Sequence, residues 1–243
     1  MSTAAVKTST TGSPASAKPT QARGSRAEQD LRKQIIEYCL AMNASGLNQG
    51  TSGNISVRFN DAMLITPSGI PYDEMLPKQI AKMPLHDTTD AWDGPCKPSS
   101  EWHFHRAILQ SDNAYGAVIH THSTFATVLA MAGRSIPACH YMVAAFGGNS
   151  VRCAKYATYG TAELSQHVLS AMRDRSACLM ANHGMVVAGN DLHQAMWAAT
   201  ELETLARQYY HASMAGNVRR LSKQQIDIVL EKFKSYGLQA QQS

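Results

Sequence analysis

The chain has 243 residues, 44% of them hydrophobic, with 22 Lys and Arg against 18 Asp and Glu. That length supports one sizeable core and one domain, and no apolar run is long enough to span a bilayer or serve as a signal h-region, so neither membrane nor secretion is expected. The formal charge of +4 is concentrated in residues 1–27, which hold Lys7, Lys18, Arg23 and Arg26 and no acid, so no basic face is implied and nucleic acid is not an expected partner.

Those first 27 residues are rich in Ser, Thr, Ala and Pro and poor in large apolar side chains. Burial cannot offset their ordering entropy, so a disordered tail is expected, and without an apolar stripe it reads as a dispensable extension rather than a transit peptide. The domain is expected to run over 28–243. From about Glu28, Leu31, Ile35 and Cys39 repeat at helical spacing and stop near Gly46. A Gly- and Asn-rich loop, 46–54, then enters an alternating strand through Ile55 to Arg58. The strand Met63 to Ile65 leads to the turn Thr66-Pro67-Ser68-Gly69, and the two loops converge if these strands form a hairpin. The segment Pro84 to Lys97 reads as a surface loop, with Trp92 packing rather than binding.

Ser99 and Ser100 precede a helix over Glu101 to Leu109, where free N–H groups and the helix dipole favour an anion. With the two Gly-containing loops this makes three anion-binding elements. Each also has a plain alternative, as a chain reversal or a helix cap. No Walker loop or dinucleotide fingerprint is present. On the Glu101 helix, His103 and His105 are read as surface or packing residues.

The run Ala117 to Ile119 is a strand entering His120-Thr121-His122, and residues two apart in a strand share a face. Two imidazoles can therefore address one ion, and His183, in Asn182-His183-Gly184, offers a third. Three protein ligands with a position left for water or substrate is the catalytic arrangement for zinc. Glu101 provides a fourth oxygen ligand or a general base. Further strands over Ala177 to Met180 and Met185 to Ala188 alternate with helices over Phe125 to Met131, Ala162 to Met172, Leu192 to Ala212 and Lys223 to Lys234. The expected fold is a layered α/β domain. Five cysteines, Cys39, Cys96, Cys139, Cys153 and Cys178, contain no Cys-x-x-Cys and fit a reduced, cytoplasmic protein.

Many of these segments together resemble the class II aldolase/adducin family: Gly46-Leu47-Asn48-Gln49-Gly50-Thr51, Gly53-Asn54, Thr66-Pro67-Ser68-Gly69, Ser99-Ser100-Glu101-Trp102, His120-x-His122, His140-Tyr141-Met142, Gly147-Gly148-Asn149-Ser150 and His183-Gly184. The match continues to Leu230-Glu231-Lys232-Phe233 and Tyr236-Gly237-Leu238. The resemblance implies a mainly antiparallel central sheet covered by helices. It implies one zinc ion per subunit on His120, His122 and His183, with Glu101 near or on the ion. Phosphate would sit among Thr51, Gly53, Asn54, Ser68, Gly69, Ser99 and Ser100, and Tyr141 and Tyr236 would serve the aldehyde end.

The implied reaction is reversible cleavage of a ketose 1-phosphate, L-fuculose 1-phosphate foremost, to dihydroxyacetone phosphate and L-lactaldehyde. The resemblance also implies a four-fold homotetramer with active sites between subunits. Tyr159 stands where the pattern more often has Phe. Two other readings share the fold: a 4-epimerase acting on L-ribulose 5-phosphate, whose pattern has Asp in place of Glu101, and a non-catalytic adducin-like interaction module.

Overall fold

Ser25 precedes the first helix. Its hydroxyl accepts the Glu28 N–H at 3.2 Å and caps α1 (Arg26–Ala44), which therefore starts two residues before the expected boundary. The computed structural model describes residues 25–86 and 89–234. The expected tail up to residue 24, the domain beyond 234 and Tyr236 lie outside the described residues.

After α1 come β1 (Asn54–Phe59), β2 (Ala62–Ile65), β3 (Ala81–Pro84), α2 (Trp102–Ser111), β4 (Ala117–Thr121) and α3 (Thr124–Met131). They are followed by β5 (Ile136–Pro137), β6 (Ser150–Ala154), α4 (Ala162–Met172), β7 (Ala177–Met180), β8 (Gly184–Gly189), α5 (Leu192–Met214) and α6 (Lys223–Phe233). The strands form one sheet in the order β3-β2-β1-β4-β8-β7-β6-β5. Every neighbouring pair is antiparallel except β6 with β7. This is the mainly antiparallel layered α/β fold that was expected.

Strand alternation divides the core into two layers. Ile55, Val57, Ile119, Met185 and Val187 pack with Ile35 and Cys39 of α1, Leu129 of α3 and Leu202 of α5. Met63, Ile65, Val118, Cys178 and Val186 turn to the opposite face and pack with Phe104 and Ile108 of α2 and Val168 of α4. The antiparallel β1–β2 pair is the hairpin expected from the sequence. The segment before Ser99 is more than a surface loop: Asp93 exchanges two backbone hydrogen bonds with Lys82 at the sheet edge, of 2.8 and 2.9 Å. Trp92 beside it stays 40% exposed, so it is not the packing residue expected. Among the described residues no helix is long and apolar enough to cross a membrane.

A buried ion cluster ties α1 to β3. Glu28 Oε1 accepts from Arg32 at 2.6 Å and Oε2 from Lys82 Nζ at 2.8 Å, while Arg32 also donates to the carbonyls of Pro77 and Ile80. Burial opposes the charge on Glu28, yet Lys82 and Arg32 outweigh it and hold the carboxyl below its ordinary value of 4.5. A lowered carboxylate pKa stabilises the fold above the unfolded value and loses that contribution as pH falls through the folded one. Glu28→Gln is therefore expected to cost about 2 kcal/mol at neutral pH. Urea denaturation of variant and wild type should show the gap closing below pH 4.5.

Candidate metal centre and active site

His120 lies within β4, directly opposite Asn54 of β1. Both face α2, where Glu101 occupies the N-cap position and His105 follows one turn later. His122 stands just past the end of β4. His183 closes the β7–β8 turn, which the Asn182 N–H fastens to the Ala130 carbonyl of α3 at 3.1 Å. These segments bring ligand nitrogens of His120, His122 and His183 within 4.8 Å of one another. The three rings stand edge-on in pairs, with centroids 4.8 to 5.0 Å apart.

Glu101 lies between two of them. Its Oε2 is 3.2 Å from His120 Nε2 and its Oε1 is 3.1 Å from His183 Nε2. Even so, Glu101 Oε1 and His120 Nε2 are buried without a hydrogen-bond partner of suitable geometry. Buried lone pairs left unpaired are costly, and a cation among them removes that cost. The tautomer fits as well: His120 Nδ1 lies 2.8 Å from the Met185 carbonyl and must donate to it, which leaves Nε2 bare for a metal. The residues thus fit a divalent ion bound by three imidazoles, with the carboxylate at hand.

The electrostatics agree. Burial opposes ionisation of Glu101, but His120 and His183 hold its carboxyl well below the usual carboxylate range. Burial pushes His122 down to about 4, helped by repulsion from His120 and His183, so at neutral pH its ring is unprotonated and open to a metal. Burial also disfavours charge on His120, yet the Glu101 carboxylate raises its pKa. A metal binding there displaces that proton.

Two further features hold the ligands in place. Glu203 of α5 accepts from Ser123 Oγ at 2.7 Å and from the N–H groups of Phe125 and Ala126 at 2.8 and 2.9 Å, fixing the start of α3 directly after His122. Gly184 lies so close beneath the histidines that a Cβ would stand 2.5 Å from the Thr121 carbonyl oxygen and 2.9 Å from His122 Cδ2. Gly184→Ala is expected to destabilise the fold by about 1 to 3 kcal/mol and to weaken divalent-metal affinity roughly tenfold or more. Calorimetric metal titration of the two proteins checks this.

The three anion elements converge. Ser99 N donates to the Thr66 carbonyl at 2.8 Å and Ser68 N to the Lys97 carbonyl at 3.1 Å, placing Ser68 and Gly69 beside Ser99 and Ser100. The Ile55 N–H donates to Thr66 Oγ1 at 3.3 Å, and Tyr72 Oη donates to the Gly53 carbonyl, which joins the Thr51 to Asn54 loop to the same place. With the N–H groups of Ser68 and Ser99 engaged, Ser99 Oγ also accepts the Glu101 N–H at 3.3 Å. The Asn54 side chain is employed differently: its amide spans Glu101 and His105.

Beside Glu101, His122 and His183 opens a cavity of about 290 Å³ lined also by Ser100, Tyr156, Tyr159 and Asn182. Tyr141 does not line it. It sits on the short 3-10 helix Tyr141–Phe146, half exposed, 6.5 Å from the Phe233 ring of α6. Sequence reasoning gave no role of their own to Tyr156, Asn182 and Gly184, which stood only within quoted motifs, and it did not reach Glu203. It read His105 as packing, although its spacing from Glu101, one helical turn, was the available signal.

Residues 33–210 match the family described as Class II Aldolase and Adducin N-terminal domain. The chain belongs to this family. As a class II aldolase it is 49% identical over 211 residues to a 5-methylthioribulose-1-phosphate/5-deoxyribulose-1-phosphate aldolase of Rhodospirillum rubrum, covering 87% of this chain and 94% of that one. It is 46% identical over 213 residues to L-fuculose phosphate aldolase of Escherichia coli, covering 87% and 98%. Among solved structures, an L-fuculose 1-phosphate aldolase superposes with a TM-score of 0.80 at 38% identity, covering 84% of this chain and 96% of the other. Class II aldolases are metal-dependent, and the imidazole triad suits that requirement.

Proposed function

We propose that the protein is a zinc-dependent aldolase that cleaves a ketose 1-phosphate between C3 and C4, giving dihydroxyacetone phosphate and a short aldehyde. The observation that carries this reading is the Glu101 carboxylate set 3.1 to 3.2 Å from two of three converging imidazoles, at the wall of a cavity. Zinc on His120, His122 and His183 supplies Lewis-acid stabilisation of negative charge on the substrate's oxygens.

The chain's own residues do the rest. Hydroxyls and loop N–H groups of Thr51, Gly53, Ser68, Gly69, Ser99 and Ser100 hold the phosphate and fix the sugar's register, while Asn54 reaches this site through Glu101. In the condensation direction Glu101 removes the C3 proton of dihydroxyacetone phosphate. In the cleavage direction it returns a proton to C3 as the bond to C4 breaks. Tyr141 exchanges the proton on the C4 oxygen, and Tyr236 serves the aldehyde end. Tyr141 does not line the Glu101 cavity of its own chain, which supports a homotetramer in which a neighbouring subunit completes each site.

L-Fuculose 1-phosphate is the first substrate to test. The Rhodospirillum rubrum relative favours a second reading, a 5-deoxypentulose 1-phosphate such as 5-methylthioribulose 1-phosphate, and Tyr159 beside Tyr156 gives the cavity aromatic edges for a nonpolar aldehyde. Dihydroxyacetone phosphate release from L-fuculose 1-phosphate, 5-deoxyribulose 1-phosphate and 5-methylthioribulose 1-phosphate, compared by kcat/KM, decides between them. Release from none, with epimerisation of L-ribulose 5-phosphate instead, would replace the aldolase reading.

A further inference from the structure

A polar chain runs behind Glu101, away from the cavity. Ser56, Asn54 and His105 are all buried on the α2-facing side of the sheet, with Ser56 and His105 wholly inaccessible. Asn54 Nδ2 lies 2.9 Å from Glu101 Oε2, Asn54 Oδ1 meets His105 Nε2, and His105 Nδ1 lies 2.8 Å from Ser56 Oγ.

The direction of every bond in this chain follows from its first member. An ionised carboxylate only accepts, so the face of Asn54 turned to Glu101 is its NH2 group. Its carbonyl oxygen is then turned to His105 and needs a donor, so His105 carries its proton on Nε2. Nδ1 is left bare and accepts from Ser56. For a neutral ring no other assignment satisfies all four groups, and His105 and Ser56 are wholly inaccessible. Burial, with repulsion from His120, pushes His105 down to about 3, so the ring is neutral.

We infer that His105 is a positioning residue: its Nε2–H, with the Ser56 hydroxyl satisfying Nδ1, fixes the orientation of the Asn54 amide that delivers an N–H to Glu101. Without this donor the amide is free to turn over and oppose its oxygen to the carboxylate. Glu101 Oε2 then loses the Asn54 donor and the carboxylate drifts from its place between His120 and His183. The inference rests on the role proposed for Glu101 and extends it to a residue that touches neither substrate nor metal.

Three variants test it: His105→Leu removes the donor with little change in volume, His105→Gln retains an N–H at the end of the side chain, and Ser56→Ala leaves Nδ1 without its partner. Metal content and melting temperature of each are measured first. The readouts are then kcat and KM for the ketose 1-phosphate, and exchange of the C3 proton of dihydroxyacetone phosphate with solvent deuterium, which needs Glu101 but no aldehyde.

The expected result for His105→Leu is full metal content with kcat and exchange both reduced roughly 10- to 100-fold, KM nearly unchanged, and substantial recovery in His105→Gln. Should His105→Leu not fold, Ser56→Ala carries the same expectation, with a smaller loss. Unchanged exchange in folded, metal-replete variants overturns the inference while leaving the aldolase reading intact. Undiminished exchange in Glu101→Gln instead overturns that reading. Independently of activity, ring-nitrogen NMR of the wild type should show His105 protonated on Nε2 and bare on Nδ1, and the opposite tautomer would contradict the chain of bonds.

Discussion

Glu101→Gln should keep the metal and lose about a thousandfold in aldol cleavage, the scale of a removed general base. The substitution is nearly isosteric. An amide oxygen can still accept from Asn54 Nδ2, so the 2.9 Å contact and the fold should survive. What disappears is the ability to carry a proton to and from C3. Solvent exchange at C3 of dihydroxyacetone phosphate should fall with the cleavage rate. The alternative role for Glu101, as a permanent fourth metal ligand, predicts a different result: metal content would drop in the variant and excess metal would restore activity. Measuring both quantities on one preparation separates the base from the ligand.

His183→Ala should have the larger effect on the protein itself. Changes to groups that merely orient ligands weaken metal sites roughly 10- to 100-fold, and loss of one of three imidazoles should exceed that. Cleavage should fall to background. It should also abolish the stabilisation that metal gives the wild type, about 2.7 kcal/mol at a free metal concentration one hundred times Kd. For a chain of this length that is a rise in Tm of roughly 5 to 10 °C, and calorimetry with and without added zinc should show it in the wild type and not in the variant.

Why so much of the centre could be read from the sequence lies in its local geometry. His120 and His122 are joined by a strand, and strand periodicity alone orients them together. Glu101 sits at a helix start announced by Ser99 and Ser100. The helices carry apolar stripes, β1 alternates, and β2, β4, β7 and β8 are short apolar runs. Strands β3, β5 and β6 give no such signal: Ala81–Pro84 is short and ends in proline, Ile136–Pro137 has two residues, and Ser150–Ala154 alternates too weakly to stand out. Neighbouring strands rather than intrinsic pattern make them strands.

The same limit explains Asn54 and His105. Asn54 and Ser56 alternate with Ile55 and Val57, which reads from sequence as a strand with one wet face. In the fold that face is covered by α2, and its polar side chains bond to Glu101 and His105. Only the packing of α2 on β1 decides this, and no local spacing records it. For Tyr141 the missing information is one level higher, since in the single chain it does not line the Glu101 cavity.

The central claim, metal-dependent cleavage at the three imidazoles, is tested most directly by dihydroxyacetone phosphate release from the ketose 1-phosphates before chelation, after stripping the metal, and after restoring zinc. The account predicts release that vanishes with the metal and returns with about one zinc per subunit, the stoichiometry of a single three-histidine site. Release that persists in the stripped protein, or none from any of these substrates in the zinc-loaded protein, would contradict it.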